Sequence, residues 1–316
     1  MSETKPNPQI KKWKTILTIF TLVALVLLIF FSREKIVETF FNLQNIQAWI
    51  LLFMVVWQVL NYHCYTELYK SLLATLGSKV RYWPTFKVAV ELNFVNHVFP
   101  SGGVAGFSYF GFRMKQLGVP PSKATLVQMM RFATVFISFQ ILLFIGVLLL
   151  ALNGQANNFT ILVASSIGTL LLTGTLFVMY IAGNKTRINS FTVGFTKFAN
   201  RLIHVFRRNH PETISVEWGR KLFLVFHEVY LVLKKNYRSL KRPFVYSFFA
   251  NATEVATIYM VFLAFGQPVN IGAVILAYAV ANFAGLISVL PGGIGVYEAL
   301  MAGVLAAAGV PASIGI

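Results

Sequence analysis

Four ionisable side chains stand inside long apolar runs: Glu91, Arg131, Glu254 and Glu298. If the runs lie in a bilayer, each charge costs about 2.5 to 3.5 kcal/mol at the helix centre, so four isolated ones would cost about 10 to 14 kcal/mol, the size of a whole domain's stability. They must therefore pair, face water or contact a ligand. Arg131 is the first candidate for a phosphate ligand, because its planar fork suits a phosphodiester and keeps its charge at any accessible pH. A carboxylate at Glu91, Glu254 or Glu298 suits a cationic headgroup, a proton relay or the balancing of Arg131. By helical rise Arg131 lies about 12 Å beyond Lys123 and Glu254 about 16 Å beyond Pro243, which gives the two a similar depth. A purely structural Arg–Glu brace is the competing reading.

Two Pro/Gly corners accompany these charges. Phe99-Pro100-Ser101-Gly102-Gly103 interrupts one apolar run and Pro291-Gly292-Gly293 another. Proline removes a helical hydrogen bond and the glycines permit a reversal. A helix restarting after such a corner presents unpaired N–H groups and a positive dipole end, a ready site for an anion. The same corner is equally suited to turning a buried hairpin with no ligand at all. Asn93, Asn96, Asn251 and Asn282 are polar residues within apolar runs and are expected to join helices by hydrogen bonds. His63 reads as a packing or interfacial histidine.

The elements that must position these residues follow from composition. Of 316 residues, 57% are hydrophobic and 12% charged, which defines an integral membrane protein. Apolar runs fall near 15–31, 46–66, 86–117, 124–152, 159–182, 243–265 and 271–309. Each can cross the hydrocarbon layer as helix, and none shows the period-two alternation of a barrel strand, so the fold class is an all-α polytopic bundle. The run 15–31 follows Lys11, Lys12 and Lys14 and reads as an uncleaved first span. With one cysteine, Cys64, and no Cys/His cluster of metal spacing, neither a disulfide, a metal nor a cofactor is expected.

The net charge of +17 is clustered in loops. Such charge sets topology, so nucleic acid is not an expected partner. The connection 183–242 holds 13 Lys+Arg against 3 Glu and is assigned to the cytoplasm, as is the Lys-rich N-terminus; 153–158 and 266–270 are neutral and fall outside. This alternation closes only if 86–117 enters and leaves on one side, as a re-entrant hairpin. Within the basic connection, 196–210 and 218–235 have the spacing of helices lying on the membrane, facing anionic headgroups, or of helices packed on the bundle.

Residues 96–122 laid on 287–313 share seven identities in 27 positions, among them Pro100 with Pro291, Gly102 with Gly293 and Gly118-Val119-Pro120 with Gly309-Val310-Pro311. Three runs separate the two copies, an odd number, so the repeats are expected to be inverted. Inverted repeats on broken helices place a substrate near the midplane. The whole chain reads as a single membrane domain in the cell membrane. Ser122 is expected to cap the span after the first hairpin, and the second copy lacks its counterpart span, so one more span is expected beyond Ile316.

The stretches NHVFPSGGVAGFSYFGFRMKQLGVPPSKATLVQMMR and SVLPGGIGVYEALMAGVLAAAGVP resemble the two signature regions of the lysylphosphatidylglycerol synthase transmembrane family, also described as flippase-like or UPF0104 proteins. On that resemblance Arg131, Glu298 and both corners match retained positions; Asn96 and Pro100 match more loosely, since the family often has Pro-Gly where this chain has Pro100-Ser101. Members that make aminoacylated lipid add a cytosolic domain that draws on aminoacyl-tRNA, and no such domain lies in these residues. The resemblance thus implies a non-enzymatic translocase that moves an anionic or aminoacylated phospholipid between leaflets. Phospholipid substrate and anionic membrane lipids are the implied partners, and a homo-oligomer is compatible with the sequence. The alternatives are the membrane half of a phosphatidylglycerol lysyltransferase and a non-transporting scaffold. No GxxxxGK[ST] loop is present to bind ATP.

Overall fold

The computed structural model describes residues 46–98, 104–152, 158–206, 216–287 and 296–310. Among these the chain is entirely helical, with ten α-helices, one 3-10 turn (Tyr237–Leu240) and no strand. The expected span 15–31 and both corners, with Pro100, Gly102, Gly103, Pro291, Gly292 and Gly293, lie outside the described residues.

The helices are α1 (Ala48–Thr75), α2 (Tyr82–Val98), α3 (Val104–Gln116), α4 (Pro121–Leu152) and α5 (Asn158–Ala182), followed by α6 (Lys185–Phe206), α7 (Val216–Lys235), α8 (Lys241–Ala264), α9 (Ile271–Ile287) and α10 (Val296–Ala307). Apolar stretches in α1, α4, α5 and α8 are long enough to cross a membrane. The arms on either side of the corners are shorter. At 17 and 13 residues, α2 and α3 reach about 25 and 20 Å; at 17 and 12, α9 and α10 reach about 25 and 18 Å. Each falls short of a hydrocarbon layer about 30 Å thick. Within each pair the two arms pack together.

Glycine stops α1, α3, α8 and α10. Among the described residues those with positive φ are Gly77, Gly118, Gly266 and Gly309, and each is followed by a backbone bond closing six residues: Ser78 to Leu73, Val119 to Met114, Gln267 to Phe262 and Val310 to Leu305, all 2.9–3.0 Å. Gly118 and Gly309 lie 191 residues apart, and the same offset carries α2 and α3 onto α9 and α10 to within two residues. Ser122 does not cap α4. The helix begins at Pro121, and the Pro120 carbonyl accepts the first helical bond from Ala124 at 3.1 Å. Proline is favoured at that first position because its missing N–H is not needed there.

Among the described residues α1 and α8 form the most extensive helix pair. Gln47 N–H donates to the Ala264 carbonyl, and Asn61 Nδ2 to the Ala250 carbonyl, which fixes the two as antiparallel. Two cores flank this pair. One joins α1, α2, α3 and the first turns of α4, around Leu72, Phe110, Met114 and Val127; the other joins the rest of α4 to α8, α9 and α10, around Leu142, Phe262, Leu276 and Leu305. α4 runs through both. The basic connection is a pair of helices, α6 and α7, packed on each other, with α7 also against α4 and α5. His227 Nδ1 donates to the Ala182 carbonyl at 2.6 Å, tying α7 to the end of α5.

Candidate functional site

Arg131 stands on α4 where one core gives way to the other, one residue past Met130 of the first and eight before Phe139 of the second. That placement follows from the pattern of α4, whose apolar contacts change partner along its 32 residues. Polar groups collect at the change. Arg131 and Glu254 of α8 line one cavity of about 60 Å³, room for a few water molecules. Asn61, Tyr62, Tyr65 and Tyr69 of α1 and Ala89, Leu92, Asn93 and Asn96 of α2 complete its wall.

The guanidinium is held by rings. Its centre lies 5.2 Å from the Tyr65 ring, 5.8 Å from Tyr69 and 5.0 Å from Phe132, contacts that favour a cation by about 0.5 to 2 kcal/mol each depending on desolvation. Nη1 donates to Gln128 Oε1 at 3.3 Å, an oxygen that also accepts from the Tyr69 hydroxyl. Nε is buried and has no hydrogen-bond partner among the described residues. An unsatisfied buried donor costs about 1 to 3 kcal/mol, more on a charged group.

Glu254 is the cavity's carboxylate. The wall is locked by polar ties between helices: Asn61 Nδ2 donates to Thr253 Oγ1 at 3.0 Å and to the Ala250 carbonyl at 2.9 Å, and Asn93 Nδ2 donates to the Tyr62 hydroxyl at 2.8 Å. Asn251 donates to Ser138 Oγ and the Val135 carbonyl, tying α8 to α4. Asn282 instead bonds the carbonyl of Tyr278 within its own helix. His63 Nδ1 contacts the Tyr82 hydroxyl at 2.8 Å, outside the cavity wall.

Of the ionisable residues singled out in the sequence, the structure brings Arg131 and Glu254 to one cavity, with Asn96. Glu91 lies elsewhere. Its carboxylate takes Arg113 Nε at 2.8 Å and the Tyr109 hydroxyl at 2.8 Å, bridging α2 to α3. Glu298 is exposed in the first turn of α10, where a negative charge complements the helix dipole. Sequence reasoning missed Arg113 as the partner of Glu91. A signal was available: Glu91 and Arg113 are equally far from Gly102, so a chain reversing there sets them level. It also missed Asn61, Tyr65 and Tyr69 of α1, which carry no mark distinguishing them from other residues of an apolar helix.

Four long apolar helices and two pairs of shorter packed arms, with Arg131 and Glu254 at one polar cavity, define a multi-pass helical membrane protein. The chain belongs to the lysylphosphatidylglycerol synthase TM region family, whose family model matches residues 16–316. It is similar to a UPF0104 membrane protein of Methanothermobacter thermautotrophicus, 41% identical over 76 residues, covering 24% of this chain and 23% of that one. It is also similar to UPF0104 membrane protein PH1989 of Pyrococcus horikoshii, 30% identical over 115 residues and 34% of each chain. The matched stretches thus span about a quarter and a third of those relatives. No solved structure matches the chain.

Proposed function

We propose that the protein is a lipid translocase that moves an anionic or aminoacylated phospholipid between the leaflets of the cell membrane, with its N-terminus in the cytoplasm. The observation that carries this reading is the half-buried Arg131 side chain lining a polar cavity, its Nε without a hydrogen-bond partner among the described residues. A phosphodiester supplies the oxygens that this donor lacks, and Glu254 on the same wall suits an amine on the headgroup. At about 60 Å³ the cavity takes a headgroup's phosphate rather than a whole lipid. The acyl chains would stay in the bilayer while the headgroup crosses.

An inverted repeat supplies the two access states. Its support is the common offset of α2–α3 and α9–α10, the matching glycine stops at Gly118 and Gly309, and the antiparallel packing of α1 on α8, the helices that precede the two pairs. Helices related by an axis in the membrane plane must run in opposite directions. Rocking of one half against the other about α4 would open the Arg131 cavity to each side in turn.

The test is reconstitution into liposomes bearing a fluorescent phosphatidylglycerol, with inner-leaflet label followed by a membrane-impermeant quencher. Wild type should exchange the label between leaflets, and Arg131→Ala should slow exchange by at least about tenfold, the equivalent of one charge-assisted contact. Equal rates for the two proteins would remove Arg131 from the path.

A further inference from the structure

We propose that α6 is a docking surface for anionic lipid headgroups, lying on the leaflet at the Ala182 end of α5. The chain itself sets the depth. α5 ends at Ala182 and α6 begins at Lys185, so the second helix starts where the span reaches the headgroups. The corner is braced: Arg187 Nη1 donates to the Tyr180 carbonyl at 3.2 Å, its guanidinium lies 3.9 Å from the Tyr180 ring, and His227 holds the Ala182 carbonyl.

α6 divides its surface three ways. Ile188, Thr192 and Thr196, four residues apart, are buried against the bundle, with the Thr192 hydroxyl donating to the Ile188 carbonyl. Phe191 contacts Phe177 of α5 and Phe223 of α7, and Phe195 stacks on it. Packing stops there. Phe195 remains 53% exposed and Phe198 60% exposed; Arg201, one turn beyond Phe198, and Lys197 are exposed cations. An apolar ridge edged by cations is the pattern of a helix seated at the boundary of headgroups and acyl chains.

Two observations favour lipid over a protein as the occupant. The ridge continues the exposed apolar side of α5, where Leu176, Met179 and Tyr180 face outward at the same end. In addition, α6 carries Lys185, Arg187, Lys197 and Arg201 and no acidic residue from Lys185 to Phe206. Each such cation near an anionic leaflet shifts the docked population by about fivefold.

The experiment uses the full chain in nanodiscs of phosphatidylcholine with or without phosphatidylglycerol, and reads the rate at which a polar maleimide labels Phe198→Cys or Asn189→Cys. These exposed positions are nine residues apart and so on opposite faces of α6; Cys64 is buried and common to both. In discs containing phosphatidylglycerol, the cysteine at 198 should label at least about tenfold more slowly than that at 189, and either omission of phosphatidylglycerol or Lys197→Gln with Arg201→Gln should remove most of the difference. Equal labelling at the two positions would overturn the proposal, as would the same protection without anionic lipid. Protection that appears only when a second protein is added would also overturn it. None of these readings depends on lipid transport.

Discussion

Gly146 of α4 and Gly272 of α9 cross with no space for a side chain between them. A methyl group on Gly272 would overlap the Gly146 carbonyl and Leu150, and one on Gly146 would overlap Ile275. Small residues at such crossings let membrane helices pack backbone to backbone, where no hydrophobic effect between helices is available to drive association. Gly146→Ala and Gly272→Ala should each destabilise the folded protein by about 1 to 3 kcal/mol, read as a lower thermal unfolding midpoint in detergent. Gly168→Ala in α5, where nothing lies within 4 Å of an added methyl, serves as the control and should leave the midpoint unchanged or raise it.

Glu91 and Arg113 hold α2 and α3 together across the corner, and each is only partly exposed. Removing one partner leaves the other charge without its counter-ion, whereas removing both leaves a neutral pair. Glu91→Gln and Arg113→Gln are expected to cost about 1 to 3 kcal/mol singly, with the double substitution costing less than the sum. Additive losses in a thermal double-mutant cycle would show that the pair does not couple the arms.

Gly106 gives Asn96 its place on the cavity wall. A methyl at Gly106 would overlap the Asn96 amide, so Gly106→Ala must displace that side chain. Leaflet exchange should slow severalfold while the unfolding midpoint changes little, and Gly111→Ala, which meets nothing within 4 Å, should behave as wild type. Unaltered exchange in Gly106→Ala would separate Asn96 from the path.

Asn61 ties α1 to α8 beside Arg131 through two bonds. Polar ties of this kind in membranes average about 0.6 kcal/mol and reach about 1.7. Asn61→Leu should therefore cost about 1 kcal/mol in thermal stability and also slow exchange, because the tie shapes the cavity wall. A normal rate in a folded Asn61→Leu protein would confine its role to packing.

Arg131→Lys keeps the charge but loses the planar fork. If the site grips a phosphodiester with two donors, lysine should restore little of the activity that alanine removes. Full recovery with lysine would mean that charge alone suffices. The comparison is made by the same leaflet-exchange assay.

What the sequence determined alone is what depends on local composition. Apolar runs longer than the hydrocarbon layer had to be helices, because no other open structure satisfies its backbone in lipid. Hence α4 and α8 fall within three residues of the expected 124–152 and 243–265, and the Gly-Val-Pro stops mark the ends of α3 and α10. The charge of Arg131 within the apolar run was equally plain, since an arginine there must find a special environment. Tertiary structure decided the partners. Glu91 and Glu254 look alike in the sequence, yet one meets Arg113 across a corner and the other shares a cavity with Arg131, because α1 and α8 pack antiparallel and bring Asn61 and Tyr65 beside them. Which helices become neighbours depends on shape fit spread over many side chains, and no local spacing encodes that sum.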